Sequence, residues 1–173
     1  MSIEGEKVSA LGIRHAGVVH EWFCEKRITA ELLDGAGSST EVIRHADVTA
    51  YIILKTISFD QRGENKDAGD LVHVMRYAGT PAQIADEVVT RYQTGRHSPA
   101  IMDTLALLET RFCDGDGVEG YLRNGPIAAA RFQLGLDPDD EEARVLEQRG
   151  VAGLVSEIVG RIRERLAAGI KAD

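Results

Sequence analysis

No apolar run in this chain approaches the roughly 20 residues that span a bilayer, and the opening "MSIEGEKVSA" has neither the basic start nor the apolar middle of a secretory leader. Both absences point to the cytoplasm, where the only two cysteines, Cys24 and Cys113, are expected as reduced thiols. Positive charge is also short: 20 Lys and Arg against 28 Asp and Glu give a formal charge of −8. That balance disfavours non-specific attraction to nucleic acid, so an RNA partner would need a local basic patch. Repeats, low-complexity segments, a nucleophile elbow, a P-loop and a dinucleotide fingerprint are all missing.

The 173 residues make one domain, or one domain with an appendage, and 43% hydrophobic content is enough to bury a core. Residues 1–46 read as a partial sheet. "KVSAL" and "RITAELLDG" have strand character, "GIRHAGVVHEWFCEK" between them reads as a short helix, and "DGAGSST" is turn chemistry. "TEVIRHA" is expected to return on "ITAELL" as a hairpin, leaving a sheet too small to stand comfortably alone. Trp22 and Phe23 are expected to cover it.

Residues 47–173 read as helices. Asp47 is the N-cap of a helix to about Arg62, with Val48, Tyr51, Ile52 and Ile57 facing inward. A second helix runs from about Lys66 to Tyr77 and stops at Gly79. Thr80–Gln83 is a capping box with proline at the first helical position, and Ser98-Pro99 repeats the cap-then-proline device ahead of Ile101, Leu105, Leu108 and Phe112. Pro126 starts a shorter helix, and "DPDDEEARVLEQRG" and "VAGLVSEIVGRIRERLAAGI" read as two more, the last apolar at Val155, Ile158, Ile162 and Leu166. The expected fold is α+β: a small antiparallel sheet fragment packed on a bundle of about six helices.

The densest charge pattern is "LKTISFDQRGENKDAGDLVHV" at residues 54–74. Lys55 and Arg62 share a face of the first helix, and Asp67 and Asp70 stand at the N-terminal turn of the second, where the helix dipole favours carboxylates. With Lys66 between them, the residues form either an ion-pair clasp or a wall that holds phosphate. Other candidates are weaker. His15, His20 and Cys24 lack a fourth zinc ligand; Asp114, Asp116 and Glu119 in "DGDGVEG" lack most of a calcium loop. His73, three residues after Asp70, reads as a partly buried structural histidine or an acid–base aid.

The run "ILKTISFDQRGENKDAGDLVHVMR" resembles the helical half of the abortive-infection (AbiEii-like) nucleotidyltransferase toxins. That pattern has Leu-x-x-Lys, then Arg, then Lys-Asp-x-x-Asp-Leu. Here Ile52-Ile53-Leu54-Lys55, Arg62, Lys66, Asp67, Asp70 and Leu71 fill it, with isoleucine in place of the first leucine. The likeness covers roughly residues 28–170 and implies a toxin or phage-defence enzyme moving NMP from an NTP, with Mg²⁺, to RNA or to a protein hydroxyl. It implies nucleotide-binding roles for Lys55, Arg62 and Lys66, and catalytic support from Asp67 and Asp70. The family's Gly-Ser turn and Asp-x-Asp strand have no counterpart: Gly37-Ser38-Ser39 is followed by no such pair, and "DGDG" at 114–117 stands far downstream. Glu31 is the one strand acid in a place for a third metal ligand. The resemblance therefore implies a truncated or split enzyme. The alternative is a non-catalytic interaction or assembly subunit whose sheet is completed by a partner chain or by a second copy.

Overall fold

The computed structural model describes residues 12–135 and 140–169. The fold is α+β: these residues form a two-stranded antiparallel sheet joined to a bundle of six α-helices. Strand β1 (Phe23–Glu31) pairs with β2 (Ser38–Ala46) in an unbroken register from Phe23–Ala46 to Glu31–Ser38. The hairpin expected from "TEVIRHA" and "ITAELL" is present. "KVSAL" lies outside the described residues.

The segment expected to be a helix before the hairpin is only a single 3-10 stretch, Ala16–His20. The chain is already extended at Phe23, because Phe23 to Lys26 pair with Ala46 to Ile43. Val18 and Trp22 are buried and join the core of the helical body, so they tie the base of the sheet to the bundle. Beyond that base, nearly every strand residue is exposed.

Helix α1 (Val48–Arg62) starts where the Asp47 carboxylate accepts the N–H of Ala50 at 2.8 Å. It ends at Gly63, whose φ of 69° suits a residue without a Cβ. Its buried face is Ile52, Ile53, Ile57 and Phe59, while Val48 and Tyr51 are only half-buried. Helices α2 (Asn65–Tyr77) and α3 (Pro81–Gln93) follow, α3 opening with the full Thr80–Gln83 capping box. Helix α4 (Ser98–Phe112) buries Ile101, Leu105, Leu108 and Phe112 as its spacing predicts. Its N-cap is His97 at φ 53°, not Ser98; the Ser98 hydroxyl donates to the carbonyl of Tyr92 instead.

Helix α5 (Asn124–Leu134) packs against α2, and Phe132 lies so close to Gly69 that a Cβ there would stand 2.1 Å from its ring. The two C-terminal helices expected from the sequence are one, α6 (Glu141–Gly169), which passes through Gly150 without a break. An internal glycine costs a helix about 1 kcal/mol, and burial of Val151, Val155, Ile158 and Ile162 outweighs it. One contiguous core joins all six helices. Among the described residues no helix is long and apolar enough to cross a membrane.

Candidate functional site

The α1–α2 junction gathers the five residues of the charge pattern, Lys55, Arg62, Lys66, Asp67 and Asp70. Gly63 and Glu64 form so short a link that the C-terminal turn of α1 faces the first turn of α2. Lys55 Nζ donates to Asp67 Oδ1 at 3.1 Å and to Asp70 Oδ2 at 2.7 Å. Arg62 donates to Asp67 Oδ2 through Nε at 3.1 Å and Nη2 at 2.5 Å. Lys66 Nζ reaches Asp70 Oδ2 at 2.7 Å, one helical turn along α2.

Burial grades the cluster from floor to rim. The Asp67 side chain is 2% exposed, Lys55 22%, Arg62 42% and Lys66 68%. Asp67 is therefore the anchor: both its oxygens are engaged, by two cations, in a place where a lone carboxylate would be costly. Burial alone pushes the Asp70 carboxyl up, but hydrogen bonds from Lys55 and Lys66 outweigh it and hold the group below its usual range. Burial likewise pulls Lys55 down, and its bonds to Asp70 and Asp67 reverse that, raising it above an ordinary lysine. The neighbouring Tyr51 hydroxyl is pushed up by burial and by the Asp70 charge, and its ring lies 5.9 Å from Lys55 Nζ.

Three cations thus converge on two carboxylates, and the surplus positive charge is carried by the exposed ends of Arg62 and Lys66. The same face of α2 continues through Asp70 to His73 and Tyr77, whose rings lie 4.7 Å apart. His73 is exposed, not partly buried as the sequence suggested. Beside these rings a cleft of about 150 Å³ opens between α2, α5 and α6, with Arg76, Gln133 and Glu147 in its wall.

The residues present do not fit a Mg²⁺ site. Among the described residues no group of three or more His, Cys, Asp or Glu is gathered to hold a metal ion, and Asp67 and Asp70 are already bound to cations. The zinc candidates are separated: His15 Nε2 bonds to Asp103 at 3.0 Å, while Cys24 stands exposed on β1, away from any shared helix face with His20. "DGDG" is a tight turn, closed by the Gly115–Val118 bridge and by Asp114, which accepts the N–H of Gly120. Glu31 ends β1 on the exposed ribbon.

Sequence reasoning missed a second buried network, at the joint between hairpin and bundle. The second oxygen of Asp47, a residue 4% exposed, accepts Arg91 Nη2 at 2.6 Å. Arg91 also lies over the Trp22 ring at 5.7 Å. Burial and the charge of Asp47 push Glu87 above the usual carboxylate range, against the pull of Arg91 and of backbone N–H groups at Thr49 and Val48. The signal available was Asp47 itself, a cap placed between the hairpin and the first helix; its partner lies 44 residues away, and no local pattern reveals it.

No protein-family model matches the chain, and neither a curated protein nor a solved structure does.

Proposed function

We propose that the chain is the helical, phosphate-facing half of a nucleotidyltransferase-type protein of the toxin and phage-defence kind. One observation supports this above the rest: Lys55, Arg62 and Lys66 converge on a single junction of an acidic chain, with surplus charge at an open rim. In this reading Asp67 and Asp70 are positioning residues, and Lys55 is the cation they fix. Arg62 and Lys66 exchange part of their carboxylate bonding for phosphate oxygens of an NTP. His73 lies about 10 Å along the helix from Lys66, so the His73–Tyr77 pair can take the base by stacking while the phosphates stay at the rim. Transfer of NMP to an RNA end or a protein hydroxyl depends on charge neutralisation and alignment. The carboxylates that would hold Mg²⁺ must then come from outside the described residues.

Titration of ATP and GTP, with and without Mg²⁺, checks the reading calorimetrically. The wild-type chain should bind, and Arg62→Ala or Lys66→Ala should each weaken binding about tenfold through loss of a charge-assisted contact. Absence of binding by the wild-type chain at millimolar nucleotide overturns the site.

A second reading is favoured by a different observation. The hairpin projects from the bundle with nearly every residue exposed and, among the described residues, only two strands, which suits an assembly element better than a free-standing one. In that reading the chain is a non-catalytic assembly subunit, and its sheet is completed by another strand.

A further inference from the structure

Two backbone bonds bracket the hairpin: Asp47 N–H to the Trp22 carbonyl, and Leu32 N–H to the Gly37 carbonyl. Together they fix the phase of the ladder. In an antiparallel pair, hydrogen-bonded and non-bonded positions alternate. Glu41, Ile43 and His45 therefore turn their backbone groups toward β1. Thr40, Val42, Arg44 and Ala46 turn theirs toward the open edge of β2. Among the described residues that edge has no strand beside it, and an unpaired edge is a template for another chain.

The edge residues say which chain suits it. A two-fold axis normal to the sheet reverses a strand while keeping its faces, so it must pass through a residue of the strand. Through Glu41 or Arg44 it sets like charges against each other, and through Val42 it sets Glu41 against the partner's Ile43. Through Ile43 it sets Ile43 on the partner's Ile43, and Glu41 opposite the partner's His45 on both sides. The outward-facing backbone groups then meet in phase, Val42 with the partner's Arg44 and Thr40 with the partner's Ala46.

The β1 edge is less suited. An axis through Glu25 or Arg27 pairs like charges, one through Lys26 sets Glu25 opposite the partner's Arg27 twice but opposes two lysines at its centre, where β2 has Ile43, and one through Ile28 sets Glu25 against Glu31 twice. An axis through Thr29 engages only the far half of the strand. On the Ile43 face, Ile28 and Ile43 are exposed by 40% and 46%, large for side chains of their kind, and pairing about Ile43 joins them into one apolar strip across four strands. A polyanion is a poor rival occupant, because residues 23–46 carry four acidic and three basic side chains.

We infer that β2 is a self-pairing edge: two copies of this chain join through it, antiparallel and centred on Ile43, into a four-stranded sheet. This rests on the assembly reading and names the partner; it is independent of the nucleotide site. Light scattering across a concentration series should find a wild-type dimer and an Ile43→Lys monomer, with circular dichroism showing that the variant keeps its helices. Glu41→Lys should raise the dissociation constant about tenfold by opposing two cross-strand pairs, and adding His45→Glu should restore it. A wild-type chain that stays monomeric, or a dimer that persists in folded Ile43→Lys, overturns the register and the partner. The wider reading fails separately, if association persists after residues 27–42 are replaced by a short turn.

Discussion

The helical body and the β-hairpin are made by opposite means. In the body, side chains from six helices meet in one core, and the carboxylates of Asp67 and Asp47 lie buried with cations as partners. In the hairpin, stability comes from neighbours across the ladder, such as the Thr29–Thr40 hydroxyl pair at 2.7 Å and the Arg44–Glu25 pair at 2.8 Å, all of it exposed. The body can lose little without cost. The hairpin loses little by change at any one residue, but has an edge to offer. The proposed strand pairing and the integrity of the fold thus fall to different regions, with the Asp47–Arg91–Trp22 joint between them.

The largest expected effect tests the body. Asp67→Ala leaves Lys55 and Arg62 facing a buried space without their shared carboxylate, which should cost about 3–5 kcal/mol in urea denaturation. A cost below about 1 kcal/mol would show that the cluster is an exposed pair network of small worth, and the contrast with the hairpin would weaken.

A smaller effect carries a pH signature. Asp70→Asn should cost about 1.5 kcal/mol near neutrality, the scale of a hydrogen bond to a charged group. Asp70 is held below its unfolded value, so its contribution is present above about pH 4 and is lost as pH falls through the folded value. Lys55 is held above its unfolded value, so its contribution is present below about pH 10 and is lost as pH rises through the folded value. The stability difference between wild type and Asp70→Asn should therefore be level across the neutral range and shrink in acid. A difference that grows in acid would contradict the assigned pairing.

The smallest effect belongs to the hairpin. Thr40→Ala removes an exposed cross-strand pair worth about 0.2–1 kcal/mol. It should speed amide exchange in β1 and β2 while leaving the global melting temperature unchanged. A fall in the global melt would mean that the hairpin and the bundle unfold as one unit.

Local chemistry made much of this legible. Asp47 as a cap, the Thr80–Gln83 capping box, the buried spacing of α4 and the hairpin turn are decided by residues within a few positions of one another. So is the charge cluster, because only Gly63 and Glu64 separate the helices that carry it. Three readings of element boundaries differed from the structure. Gly150 did not end a helix: Val151, Val155, Ile158 and Ile162 on its C-terminal side pack into the core, and Glu147 on its N-terminal side pairs with Arg76 of α2. Ser98 did not cap α4, since the left-handed His97 fixes the turn before it. The segment before the hairpin is mostly not helix, since its last residues are already paired as a strand.

By itself the sequence determined which residues carry charge, where most helices start, and that Lys55, Arg62, Lys66, Asp67 and Asp70 share one junction. Only the tertiary structure decided that Asp67 is the buried anchor while Lys66 stands at the rim, that Arg91 reaches back 44 residues to Asp47, and that no described strand lies beside β2's outer edge. The physical reason is the same in each case. Spacing along the chain fixes which side chains can meet within a turn or two, but burial and edge exposure depend on what the rest of the fold brings against them.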